Sequence, residues 1–103
     1  MTNIIGLSSA QISKILKCIH LHLPRVKVFA FGSRVKGSPR KYSDFDVALD
    51  AGRPLDFSQL TAIKHCLSET DIPIKVDLMD YHSANKDFKA LIDKQKIALS
   101  RNK

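Results

Sequence analysis

Apolar residues recur every three or four positions early in the chain, at Ile12, Ile15, Leu16, Ile19 and Leu23. That stripe predicts an amphipathic helix from about Ser8 to Leu23. Ser8 with Gln11 makes a capping-box pattern, Leu7 and Ile12 stand at staple positions, and Pro24 stops the helix. The rhythm then changes. VKVFAFG, residues 26–32, reads as a short strand buried on both faces. DFDVALD, residues 44–50, alternates: Phe45, Val47 and Leu49 face one way, and Asp44, Asp46, Ala48 and Asp50 the other. The Gly-, Ser- and Pro-containing stretch between these strands reads as irregular chain or a single helical turn.

A turn through Gly52, Arg53 and Pro54 leads to a second helix, about Phe57 to Thr70, with Asp56 and Gln59 placed for its N-terminus. Its stripe is Phe57, Leu60, Ile63 and Leu67. IKVDLMD follows Pro73 as another alternating strand, with Ile74, Val76 and Leu78 opposite Lys75, Asp77 and Met79. A last helix begins near Ser83, turns Ala84, Phe88, Leu91 and Ile92 inward, and frays into the basic tail KQKIALSRNK. The expected architecture is α/β: one small domain over residues 1–103, its sheet covered by helices, with residues 1–6 and 97–103 as loose ends.

Composition narrows the class. The chain has 103 residues, 44% hydrophobic and 26% charged, which suits one globular domain with a modest core. No apolar run reaches the ~18 residues of a membrane span. The first residues lack the charged start and apolar centre of a secretion signal, so the cytoplasm is the expected compartment. Cys18 and Cys66 each fall within a helix and are expected to be reduced and core-lining; neither belongs to a C-x-x-C pair that would hold zinc. His20, His22, His65 and His82 show no ligand spacing with them, and surface or structural roles are expected. A net charge of +7 points to anionic company such as nucleotide phosphates, nucleic acid or an acidic protein surface. Aromatic residues do not alternate with the cations as a single-strand-binding groove requires, so direct nucleic-acid binding is the weaker reading.

The candidate chemistry lies in GSRVKGSPRKYSDFD, residues 32–46. Asp44 and Asp46 share one face of a strand, with Cα atoms roughly 7 Å apart, close enough to converge on a divalent metal. Gly32 permits close backbone approach, and Ser33 offers a hydroxyl to a phosphate. Arg34, Lys36, Arg40 and Lys41 can offset phosphate charge. Asp77, on the polar face of a later strand, brings in a third carboxylate if the two strands are neighbours. Three such acids repel unless a cation lies among them. Asp80 reads as a helix-approach or turn residue.

Gly32-Ser33, ten residues, then Asp44-Phe45-Asp46 resembles the signature of the DNA polymerase beta-like nucleotidyltransferase superfamily, and Asp77 is similar to its third acid. The flanking pattern is most like the minimal nucleotidyltransferases, MNT, found beside HEPN partners in toxin–antitoxin pairs. The resemblance implies a mixed sheet and two-metal nucleotidyl transfer. Gly32, Ser33 and Arg34 would bind ATP, and Asp44, Asp46 and Asp77 would hold Mg²⁺, with Asp77 also accepting the proton of an attacking hydroxyl. It further implies transfer of AMP to a tyrosine of a HEPN ribonuclease, with which the chain would form a hetero-oligomer. Two alternatives stand beside this: neutralisation by binding alone, or transfer to a small molecule or RNA end. The chain lacks an obvious separate substrate domain, which suits a protein acceptor better.

Overall fold

A computed structural model describes residues 6–37 and 44–99. The first helix, α1 (Ser9–His22), carries the predicted capping box, and its inner face buries Ile12, Ile15, Leu16, Cys18 and Ile19. Strand β1 (Lys27–Phe31) follows, then a single helical turn, α2 (Ser33–Lys36), ended by Gly37 in the left-handed conformation. Strand β2 (Phe45–Asp50) leads to α3 (Phe57–Ser68), whose N-terminus has the Asp56–Gln59 capping box. Strand β3 (Val76–Asp80), a 3-10 turn at Tyr81–Ser83, α4 (Lys86–Gln95) and strand β4 (Ile97–Leu99) complete the order.

The four strands form one mixed sheet in the order β3-β2-β1-β4. β1 runs antiparallel to β2 and to β4, while β2 and β3 are parallel. Phe45, Val47 and Leu49 turn to the larger core, where α1 and α3 contribute Ile15, Leu16, Ile19 and Ile63. On the other face Ala48 and Phe31 meet Ile92 of α4, with Phe88 packed edge-on against Phe31 at 5.9 Å between ring centroids. The molecule is therefore a sheet between two helical layers, as the strand alternation implies. No helix among the described residues is long and apolar enough to cross a membrane.

Four expectations are corrected. Ile97–Leu99 is not a loose end but an edge strand, because pairing with Val28–Ala30 satisfies its backbone and buries Leu99. Cys18 and Cys66 are not reduced: packing of α1 on α3 brings their Cα atoms to 5.7 Å and the sulfurs are bonded. Phe57 is 84% exposed rather than part of the inner stripe. It is the first helical residue, at the rim of an open groove with Leu60 and Phe88. Leu91 is 42% exposed because it forms the wall of a cleft instead of packing in the core.

Candidate functional site

Strand pairing assembles the site. Because β1 and β2 are antiparallel, the C-terminal end of β1 lies beside the N-terminal end of β2, and Phe31 pairs with Asp46. Gly32 and Ser33, which follow Phe31, thus emerge next to the first acids of β2. Because β2 and β3 are parallel, Asp46 and Asp77 occupy directly opposed positions on neighbouring strands, whose backbones run about 4.8 Å apart.

These residues line one cleft of about 550 Å³. Gly32, Ser33, Asp46, Asp77 and Gln95 form its polar side, and Phe31, Met79, Phe88 and Leu91 its apolar wall. Gly32 has φ 85° and ψ −161°, and a Cβ there would collide with the Asp46 carboxylate. Only glycine combines that backbone with so close an approach. Its N–H donates to Gln95 Oε1 at 3.1 Å.

The carboxylates feel one another. Burial, then the charge of Asp77, then that of Asp44 hold the Asp46 carboxyl above its ordinary range. Asp77 is half-buried beside it, while Asp44 stands exposed just before the strand. No group of three or more His, Cys, Asp or Glu side chains among the described residues is gathered as a metal-holding cluster. The donor set nonetheless fits a hard divalent cation: paired carboxylate oxygens whose repulsion such an ion would relieve, with a third acid within electrostatic reach.

Arg34 is placed differently from the phosphate contact expected of it. It is only 3% exposed, it is absent from the cleft lining, and its guanidinium fills the space that a Cβ on Gly6 would need. The side chain of Lys36 and the whole of Arg40 and Lys41 lie outside the described residues. Asp80 ends β3 and caps the 3-10 turn, an approach role in line with expectation: buried, it accepts from Leu55 N–H at 2.8 Å, from the Ser83 hydroxyl at 2.6 Å and from His82 N–H at 3.2 Å. Two of the histidines have structural partners: His82 meets Asp50 at 2.6 Å, and His20 meets the Val26 carbonyl at 3.2 Å.

Sequence reading missed Gln95 and the apolar wall. The signal was present, since Gln95 follows Phe88 by seven residues and so continues the inward stripe of α4. A polar residue at such a position points toward the sheet rather than solvent.

Comparison with known proteins agrees with this fold. The sequence pattern of the family described as "Polymerase beta, Nucleotidyltransferase" matches residues 13–103. The chain is 38% identical over 90 residues to the Haemophilus influenzae protein named "Probable protein adenylyltransferase MntA", covering 87% of this chain and 79% of that one. A solved toxin–antitoxin complex with AMP-PNP is similar with a TM-score of 0.74 and 26% identity, over 94% of this chain and 76% of that one. The complex of tri-AMPylated Shewanella oneidensis HEPN toxin with MNT antitoxin shares the fold, with a TM-score of 0.66 and 24% identity over 92% of this chain and 74% of the other.

Proposed function

The chain belongs to the polymerase beta nucleotidyltransferase family, and from that premise we propose that it transfers AMP from ATP to a tyrosine hydroxyl of a partner HEPN protein, acting as the antitoxin of a toxin–antitoxin pair. The observation that carries this reading is the opposition of Asp46 and Asp77 in the cleft that also holds Gly32 and Ser33. The similarity to a protein named as an adenylyltransferase, and to a toxin–antitoxin complex with an ATP analogue, supports ATP as donor and a protein as acceptor.

In this mechanism Gly32 and Ser33 hold the nucleotide phosphates, the glycine by letting them approach the backbone and the serine through its hydroxyl. Asp44, Asp46 and Asp77 would hold Mg²⁺, which would supply Lewis-acid polarisation of the α-phosphate and charge for the departing pyrophosphate. Asp77 takes the proton from the attacking tyrosine. The hydroxyl oxygen bonds to the α-phosphorus as the bond to the bridging oxygen breaks, and pyrophosphate leaves. The apolar wall of Phe31, Met79 and Phe88 supplies a surface on which flat rings can pack. ATP as substrate favours action in the cytoplasm, a reducing compartment in which the Cys18–Cys66 bond is unusual.

The test is to incubate the protein with labelled ATP, Mg²⁺ and the partner HEPN protein. Label should appear on the partner, and the pair Asp44→Asn with Asp46→Asn should abolish it. A folded partner that stays unlabelled sinks the enzymatic reading. A double variant that still neutralises the partner favours occlusion by binding.

A further inference from the structure

The cleft contains one hydrogen bond that the proposed chemistry leaves unused. Gly32 donates its N–H to Gln95 Oε1 at 3.1 Å, across 63 residues of sequence. That N–H is the backbone donor a phosphate approaching the glycine-serine turn would meet, and it is already engaged. Its chemistry fixes the amide's orientation. A backbone N–H can only donate, so the amide oxygen faces Gly32 and the NH₂ group, with two donors, occupies the other branch. Gln95 lines the same cleft as Ser33, Asp46 and Asp77. It is held there by α4, whose Ile92 is buried against the sheet and whose Phe88 packs on Phe31.

We infer that Gln95 is a phosphate-binding residue: its amide accepts from Gly32 N–H through Oε1 and donates Nε2–H to an oxygen of the nucleoside triphosphate. The inference rests on the reading above that ATP lies against Gly32 and Ser33. A neutral amide suits this position. A lysine there would be drawn to Asp46 and Asp77, whereas the amide offers donors without competing for the carboxylates that hold the cation. Hydrogen bonds to an ionised acceptor are also the stronger kind. The side chain thus extends the backbone donor of Gly32 outward by one amide, and ties α4 to the phosphate end of the cleft.

The rival arrangement has the phosphate displace Gln95 and take the Gly32 N–H directly. Two substitutions separate them. Gln95→Glu keeps an acceptor for Gly32 but removes both donors and adds negative charge. Gln95→Met removes the acceptor too and leaves the Gly32 N–H open. Calorimetric titration of each full chain with ATP and Mg²⁺, and separately with adenosine, reads the difference, and circular dichroism melting checks the fold. Both variants should bind ATP about tenfold or more weakly than wild type, the Glu variant weakest, with adenosine binding unchanged. Wild-type ATP affinity in Gln95→Glu would show that the amide only ties α4 to the turn, and would overturn the inference. Equal or tighter binding in Gln95→Met would overturn it in favour of displacement. A wild-type chain that binds no ATP would remove the proposed function as well, and is distinguishable because it needs no variant.

Discussion

Gly32, with φ 85° and ψ −161°, occupies a backbone region essentially closed to residues with a Cβ. Gly32→Ala therefore carries both backbone strain and a collision with Asp46. It should cost about 1–3 kcal/mol of stability by urea unfolding, and ATP titration should show weakened binding as the carboxylate is pushed aside. Asp46 gives a prediction of opposite sign. Its folded-state pKa is raised, so ionising it works against the fold. Below the ordinary carboxylate pKa of about 4, folded and unfolded chains both hold the proton and no cost arises. As pH rises through the folded-state pKa the cost becomes complete. Without metal, Asp46→Asn should thus melt higher than wild type at neutral pH, and the gap should close as pH falls below the ordinary carboxylate range. A variant that melts lower at neutral pH would contradict the cost of burying the charge and the repulsion from Asp77 and Asp44. Both residues were legible as site candidates in the sequence, because glycine before serine and paired acids on one strand face are chemical signals. The burial of Arg34 was not, since a cation near a phosphate motif and one buried beside a distant glycine look alike in sequence.

Helices and strands followed their apolar periods where those periods faced a core. The stripe of α1 and the alternation of β2 survive intact because each buries one complete face. Where an element's end passes beyond the core, the pattern misleads. Ile63 lies at the centre of α3 and is fully buried, whereas Phe57 at its first position is open to solvent. Ile63→Ala should cost about 2–5 kcal/mol, and Phe57→Ala should stay within about 0.5 kcal/mol, both by chemical unfolding. Strand β4 was hidden for a different reason. Three residues amid lysines carry no readable period, and only the exposed edge of β1 makes them a strand. The disulfide was equally hidden, for nothing local says that positions 48 apart will meet. Closing a loop of that length should stabilise the fold by about 4 kcal/mol on the chain-entropy account. Reductant should lower the melting temperature of wild type and leave a Cys18→Ala, Cys66→Ala double variant unmoved. Equal melting of wild type with and without reductant would show that the bond contributes nothing.

On the scale of the whole molecule, function follows from one topological fact. An antiparallel pair places the end of β1 beside the start of β2, and a parallel pair places the start of β3 there too. Residues 32, 46 and 77 therefore meet although the chain separates them widely. The sequence could mark each as a candidate, but only strand order makes Asp46 and Asp77 neighbours. That geometry concentrates negative charge in a molecule whose formal net charge is +7, so the local repulsion is a property of the cleft rather than of the overall balance. On the proposed function, ATP and Mg²⁺ should therefore depend on each other. ATP alone brings phosphate charge toward Asp46 and Asp77, and Mg²⁺ alone meets carboxylates with no phosphate oxygens to complete its shell. Together each removes the other's obstacle. Ligands that bind only the folded state stabilise it by mass action, about 2.7 kcal/mol at a hundredfold excess over the dissociation constant. Thermal melting with both ligands should therefore rise by more than the sum of the shifts with either one, and Asp46→Asn should abolish that excess. Additive shifts in the wild-type chain would mean that cation and nucleotide bind apart, and that the paired acids do not bridge them.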